Sequence, residues 1–338
     1  HLFAGAQPLL KPVDDRDVIR RHALGKFPDL LSASAHSPAM LVYLTNDTNV
    51  RGHPNENYAR ELMELHTLGV DNGYTQKDVR EVARCFTGWG LYGFRSAAAG
   101  EFFFNSSQHA PGDKSVLGET ISTGGIGDGE RVIEILARKR RTAKFLARKM
   151  LVYFWGYEPR KRDVKKVADA YMKTGGDIKA MLRQVLKRSR MEKAQPKLKR
   201  PFHMMVSALR GLFAGLESSS HMLEHLFTAG HLPFNWEPPD GYPDSEQFWS
   251  GYILPRWNWA TAFLNACGGV ELDLPFVDPS LKPARIVDEL NAYLFNGGMS
   301  AATEASLLGF LDVGKKLNKN RIRDAIGLAI ASPDFQEY

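Results

Sequence analysis

Cysteine is almost absent from this sequence: Cys85 and Cys267 are the only two in 338 residues, in unrelated settings and without a C-x-x-C spacing. That removes cysteine-pair metal motifs and dithiol chemistry. It leaves two buried structural thiols as the expectation, with a disulfide between them still open. Long apolar runs are missing as well. No stretch approaches the roughly 20 residues that cross a bilayer, and the most apolar segment, 150–155, reads as a buried helix end. No signal peptide is visible, and the chain starts at His1 rather than Met. Gly124-Gly125-Ile126-Gly127 lacks the Lys-Ser/Thr that would make it a phosphate loop, and neither a nucleophile elbow nor an internal repeat occurs.

Helical periodicity fills most of the chain. The expected helices are 14–24, 38–44, 55–68, 75–87, 128–139, 142–155, 160–174, 177–189, 201–216, 255–267, 283–295, 300–312 and 319–331. Pro38 suits a first turn, and Asp128, Asp177 and Ser300 suit N-caps. Segment 54–89 is the most legible. Asn55 reads as an N-cap, Tyr58, Leu62, Leu65 and Leu68 as a core stripe, Gly69 as the stop, and Thr75 with Asp78 as a capping box. The fold class expected is all-α, a multi-helical globular body. It carries one irregular Gly/Ser-rich insertion at about 90–127, holding a short hairpin or an ordered loop, and an aromatic, Pro-rich loop at about 229–250. Two lobes, 1–195 and 196–338, are expected to meet where Pro196 and Pro201 frame a basic stretch, unless the chain is one continuous domain.

Charge is distributed very unevenly. The net value is only +6, yet residues 131–200 hold 23 Lys+Arg against 6 Asp+Glu, and the remainder holds 21 against 32. A segment with net charge +17 attracts polyanions through counterion release and long-range steering, or is neutralised by an acidic surface of this chain or a partner. Nucleic acid ranks low, because no recognition motif and no basic–aromatic alternation appears.

Three groups of residues are candidates for chemistry. Glu56, Arg60 and Glu64 stand at i, i+4 and i+8, a charge ladder or, with Glu61 and Asn55, the wall of a polar site. His109, Asp113 and Lys114 lie in the irregular segment and would either converge with those carboxylates on one acid–base pocket or pin their loop to the 55–68 helix. His66 lies about 140° from Glu61 and about 160° from Glu64 around a regular helix, a poor metal-ligand arrangement. His221-x-x-Glu224-His225 is a zinc-like string, with Glu237, Glu246 or Glu271 available as a third ligand; exposed helix residues are the favoured reading. Trp236, Tyr242, Trp249, Tyr252, Trp257 and Trp259 form an aromatic cluster suited to the apolar faces of sugars or to packing a loop.

Residues 54–89 resemble the signature segment of the bacterial domain of unknown function 1800 family. Collinear blocks agree with it. They are His109 to Asp113-Lys114 with Leu117-Gly118, then Lys144 to Lys149, Gly175-Gly176-Asp177, Arg200-Pro201-Phe202-His203 through Arg210, Trp236 to Pro243, and Ser332 to Gln336. Cys85 departs from the small aliphatic residue usual there. The resemblance implies a mostly helical protein, usually exported to the periplasm or beyond, often encoded beside sulfatase-like proteins, and with no established catalytic residues. The family domain normally has a further N-terminal portion, so the chain is expected to be a fragment or processed product.

The function expected first is that of an exported envelope or extracellular protein binding an anionic polymer, foremost an acidic or sulfated polysaccharide. Asn55, Trp89, Trp236, Tyr242, Trp249, Arg148 and Lys149 are its ligand-binding candidates. A hydrolase or lyase using Glu56, Arg60, Glu61, Glu64, His109 and Lys114 is the second expectation. An assembly partner of a secreted sulfatase-like protein, with the basic face meeting an acidic partner, is the third. No cofactor is expected unless His221 and His225 hold zinc.

Overall fold

The computed structural model describes residues 9–93, 95–216, 218–264, 270–271, 274–313 and 316–338, with the backbone alone at 216, 270 and 271. Cys267 and the end of the expected 255–267 helix lie outside the described residues. The chain is mostly helical. It is not purely so, because three short two-stranded antiparallel ladders occur among the described residues. They pair Trp89–Leu91 with Phe102–Phe104, Lys114–Val116 with Glu119–Ile121, and Gly215–Leu216 with Val270–Glu271. The first two lie within the 90–127 insertion, where Gly and Ser supply turns between short β-branched and aromatic runs.

Two compact units divide the chain: residues 1–195 with 234–241, and residues 196–233 with 242–338. Each has its own apolar core. In the first unit the helix Arg140–Trp155 buries Thr142, Ala143, Ala147 and Leu151. Ala143, Ala147 and Leu151 recur every four residues, and the two alanines let neighbouring helices approach closely. The same spacing leaves Arg140, Lys144 and Arg148 on another stripe. The helix Lys161–Thr174 buries Val167, Ala168 and Tyr171, and the Tyr171 hydroxyl donates to the Ala137 carbonyl at 2.7 Å. Segment 150–155 is less buried than its composition suggests. Leu151 is enclosed and Tyr153 is exposed, because the helix end presents one face to solvent.

The signature segment folds largely as its pattern dictates. The capping box forms in both directions: Thr75 N donates to Asp78 Oδ2 at 2.8 Å, and Asp78 N to Thr75 Oγ1 at 3.2 Å. The helix before it is not regular. It starts as Asn57–Glu61 and widens into a π-helical turn at Leu62–Thr67, where Thr67 Oγ1 donates to the Leu62 carbonyl at 2.7 Å. The widening brings Met63 into the core and leaves Leu65 half-buried. Asn55 accepts from Asn57 N at 2.9 Å, while its amide donates to Thr45 O, Thr45 Oγ1 and Thr48 Oγ1. It therefore ties the helix start to the preceding turn. Asp177 and Ser300 are N-caps, accepting from Ala180 N and Thr303 N. Asp128 is not; it lies inside the helix Gly127–Arg138, with its carboxylate turned to a buried lysine.

Candidate functional site

The expected acid–base residues separate into two networks. Arg60 reaches Glu56 at 3.2 Å and Glu64 at 3.4 Å; Gln76 bonds both Arg60 and Glu56, and Arg80 stands 3.5 Å from Glu56. This is a closed, half-exposed charge row. His109 and Lys114 belong elsewhere, in a buried cluster around Asp128. Lys114 Nζ donates to Asp128 Oδ2 at 2.5 Å and to the Ala110 carbonyl at 2.6 Å. His109 Nδ1 faces the Thr87 carbonyl at 2.9 Å, and its Nε2 lies 3.1 Å from Asp128 Oδ2 and 3.3 Å from Lys114 Nζ. Thr123 Oγ1 and Gly124 N occupy the other carboxylate oxygen. Burial alone would push the Asp128 carboxyl up, but the bonds from Lys114, His109, Thr123 and Gly124 hold it below its usual range. Every group here is satisfied, so the cluster pins the 105–125 segment to a helix start. Asp128 escaped the sequence reading because a helix-start aspartate looks like a cap.

Electrostatic interaction links a different set of groups to Glu61. The segment 234–241 lies on the first unit, where the Tyr43 hydroxyl donates to the Glu237 carbonyl at 2.9 Å and Lys11 Nζ sits 5.1 Å over the Phe234 ring. Within that segment Trp236 Nε1 donates to Asp240 Oδ1 at 3.0 Å. Glu61 is half-buried, and its carboxyl is pushed up by burial, with Glu64 and Asp240 adding to the rise against Arg60. The Lys149 ammonium is pushed down by the protein packed around it, against the pull of Asp240. Burial lowers the neighbouring His66 imidazole to about 3, with Lys149 adding to it. Burial also raises the Tyr43 hydroxyl, with Glu61, Asp240 and Glu237 adding to it. Asp240 and Tyr43 were not singled out from the sequence. Tyr43 and Glu237, whose bond ties the 234–241 segment down, are 194 residues apart in the chain, a pairing that no local pattern encodes.

The basic stretch forms a defined groove. A cavity of about 900 Å³ is lined by Arg140, Lys144 and Arg148 at i, i+4 and i+8 of one helix and by Lys161 and Lys165 of the next. Phe145, Val164 and Leu68 contribute apolar wall, and Asp71 is the acidic residue of the lining. Arg140 and Lys165 both pair with Asp169, and Arg148 stands 3.6 Å from Glu158. Lys144 and Lys161 form no ion pair among the described residues. Lys149 lies 5.0 Å over the ring of Phe145, so it adjoins this groove.

The aromatic candidates are mostly structural. Trp249 is fully buried in the second unit, its Nε1 donating to the Pro243 carbonyl at 2.7 Å, and Tyr242 donates to the Leu232 carbonyl at 2.7 Å. No ring face of Trp249 is left for a ligand. Trp89 borders a largely apolar cavity of about 830 Å³, but its ring packs in the core against Phe86, Phe102 and His36. Trp236 is half-buried. His221 and His225 lie on the helix Ser220–Thr228, with His221 4.0 Å from Glu224. Among the described residues no group of three His, Cys, Asp or Glu is placed to hold a metal ion. No described helix is long and apolar enough to cross a membrane.

The fold is that of a mostly helical protein with short antiparallel ladders and a buried His–Lys–Asp cluster. The chain belongs to the family of proteins of unknown function DUF1800, whose family model matches residues 4–337. Comparison with curated proteins and with solved structures returned no match.

Proposed function

We propose that this chain is an exported envelope or extracellular protein that binds an anionic polymer, foremost an acidic or sulfated polysaccharide, in the groove between the helices Arg140–Trp155 and Lys161–Thr174. The observation that carries the reading is the cation stripe itself. Like charges at i, i+4 destabilise an isolated helix by a few tenths of a kcal/mol per pair, and Arg140, Lys144 and Arg148 form two such pairs in succession, opposite Lys161 and Lys165. Acidic neighbours engage part of this row, while Lys144 and Lys161 remain available to a ligand. Evenly repeated anionic groups on a linear polymer suit cations that follow one another at about 6 Å, four residues of helical rise. Apolar wall from Phe145 and Val164 suits the carbon faces of sugar rings. Export rests on the family resemblance.

Titration calorimetry with heparin and with polygalacturonate tests the reading. The double substitution Lys144→Glu with Arg148→Glu is expected to weaken binding by more than about tenfold. Lys187→Glu with Arg188→Glu, on exposed positions outside the groove, is expected to change it by less than about threefold. Equal losses from both pairs would show that only bulk charge is sensed.

A further inference from the structure

We propose that the 830 Å³ cavity beside the Trp89–Leu91 and Phe102–Phe104 ladder is a site for a quaternary ammonium carried on an apolar chain, with Asp47 as counter-ion and Tyr92 and Phe103 as its aromatic wall. The site is independent of the anionic-polymer reading, since this cavity and the cationic groove share no lining residue.

The geometry follows from the register of the ladder. Trp89 stands opposite Phe104, Gly90 opposite Phe103 and Leu91 opposite Phe102. Side chains alternate along a strand, and opposed residues share a face. Trp89 and Phe102 face the core, where their rings pack 5.2 Å apart. Gly90, Phe103 and Tyr92 therefore belong to the other face, and the rings of Tyr92 and Phe103 lie 4.7 Å apart on it. Glycine at position 90 leaves that face open between Phe103 and the turn Asn46–Thr48. A Cβ there would find the Asp47 Cα as its nearest neighbour, at 3.8 Å. One carboxylate and two aromatic rings thus border a space that a side chain would otherwise fill.

The chemistry of the lining selects the ligand. Leu10, Val42 and Val50 supply apolar wall. Among the described residues the lining holds no Lys, Arg or His, and Asp47 is its charged group. Asp47 is exposed, and no cation of the described residues pairs with its carboxylate. An anionic amphiphile would meet that carboxylate without any compensating charge. A cation gains from it and from the ring faces, whose quadrupoles attract positive charge. Among cations, a primary ammonium brings three N–H donors that need acceptors. The amide oxygens of Asn49 and Asn105 are already taken, by Asn55 N at 2.9 Å and by Ser107 N at 3.1 Å. A quaternary ammonium carries no donor to satisfy, and its methyl groups suit aromatic and aliphatic walls.

The test is titration calorimetry of the full chain with octyltrimethylammonium, 1-octanol and octanoate, which share a tail and differ in head charge. The cation is expected to bind about tenfold more tightly than octanol, and octanoate more weakly than either. Bulk charge would set the opposite order, because the first unit carries a net +8. Asp47→Asn is expected to remove the preference for the cation and to leave octanol within about twofold. Tyr92→Leu is expected to weaken the cation by about threefold or more, again sparing octanol. Gly90 has room for a Cβ and no left-handed φ, so Gly90→Leu is expected to keep its thermal midpoint and to bind none of the three. Octanoate binding as tightly as the cation, a cation preference that survives Asp47→Asn, or no binding of the cation at all would each overturn the inference. Flotation with phosphatidylcholine vesicles separates the sources of the ammonium. Flotation lost in Asp47→Asn identifies a lipid headgroup, and calorimetric binding without flotation identifies a free molecule.

Discussion

Asp128 illustrates how one buried carboxylate can organise a whole segment. It is 1% exposed and neutralises Lys114, itself 2% exposed. Asp128→Asn would leave that ammonium enclosed without a counter-charge, and truncation of one partner of such a pair costs about 3–5 kcal/mol. Urea denaturation of the variant near neutral pH is expected to show a loss of that order; a change under about 1 kcal/mol would mean Lys114 finds another partner. The sign with pH follows from the depressed Asp128 carboxyl. Its contribution is full above the unfolded value of about 3.9 and is lost as pH falls through the lower folded value. Glu61 behaves oppositely. Its carboxyl is raised, so the ionised form costs the fold stability above the folded value, and the cost vanishes below the unfolded one. Glu61→Gln is therefore expected to raise the urea midpoint near pH 7 and to leave it unchanged near pH 3. Destabilisation at pH 7 would mean that the carboxylate is structurally required.

At the scale of the element, the regular helices were legible because their periodicity, caps and stops agree. The boundaries Pro38–Tyr43, Gln76–Cys85, Pro283–Phe295, Ala301–Asp312 and Lys319–Ala331 follow their signals within a few residues. The helix Phe27–Ala35 is absent from the expected set; Pro28 occupies its first turn, where a missing N–H costs nothing. The π-helical turn at Leu62–Thr67 was not legible either, since its extra residue leaves the apolar spacing almost unaltered. Its consequence is local but real: the stripe predicted through Leu65 passes through Met63 instead. Cation stripes, by contrast, are written directly in the spacing of Arg140, Lys144 and Arg148. The groove needed only the second helix to be placed beside the first. If the stripe is kept for a ligand, the unliganded helix carries its repulsion as a cost. Lys144→Glu, which puts opposite charges at i−4 and i+4, is expected to stabilise the free protein by about 0.3–1 kcal/mol while weakening polymer binding. Thermal denaturation with and without heparin checks both signs in one experiment. A variant less stable in both conditions would mean that Lys144 serves packing.

At the scale of the whole molecule, the two units differ sharply in charge. The first holds 32 Lys+Arg against 24 Asp+Glu, a net +8, and the second 12 against 14, a net −2. The place of segment 234–241 could not be read from the sequence, because it leaves the second stretch of chain to join the first unit. Contiguous lobes divided at 195–196 would have separated Glu237 from Tyr43. The charge difference gives a test that separates binding in one unit from general adhesion. A ligand that binds only the native form stabilises it by RT ln(1 + [L]/Kd), about 2.7 kcal/mol at a hundredfold excess over Kd. Each unit has its own core, so calorimetry of the full chain is expected to resolve two components. Heparin should raise one of them and leave the other within about 1 °C. Raising salt should erase that shift, because counterion release and screening weaken a binding mode made of exposed cations. The Lys144→Glu with Arg148→Glu variant should lose the heparin shift in the same component and keep both transitions, which identifies that component as the first unit. Equal shifts of both components, or a shift that survives high salt, would contradict a groove built from Arg140, Lys144, Arg148, Lys161 and Lys165.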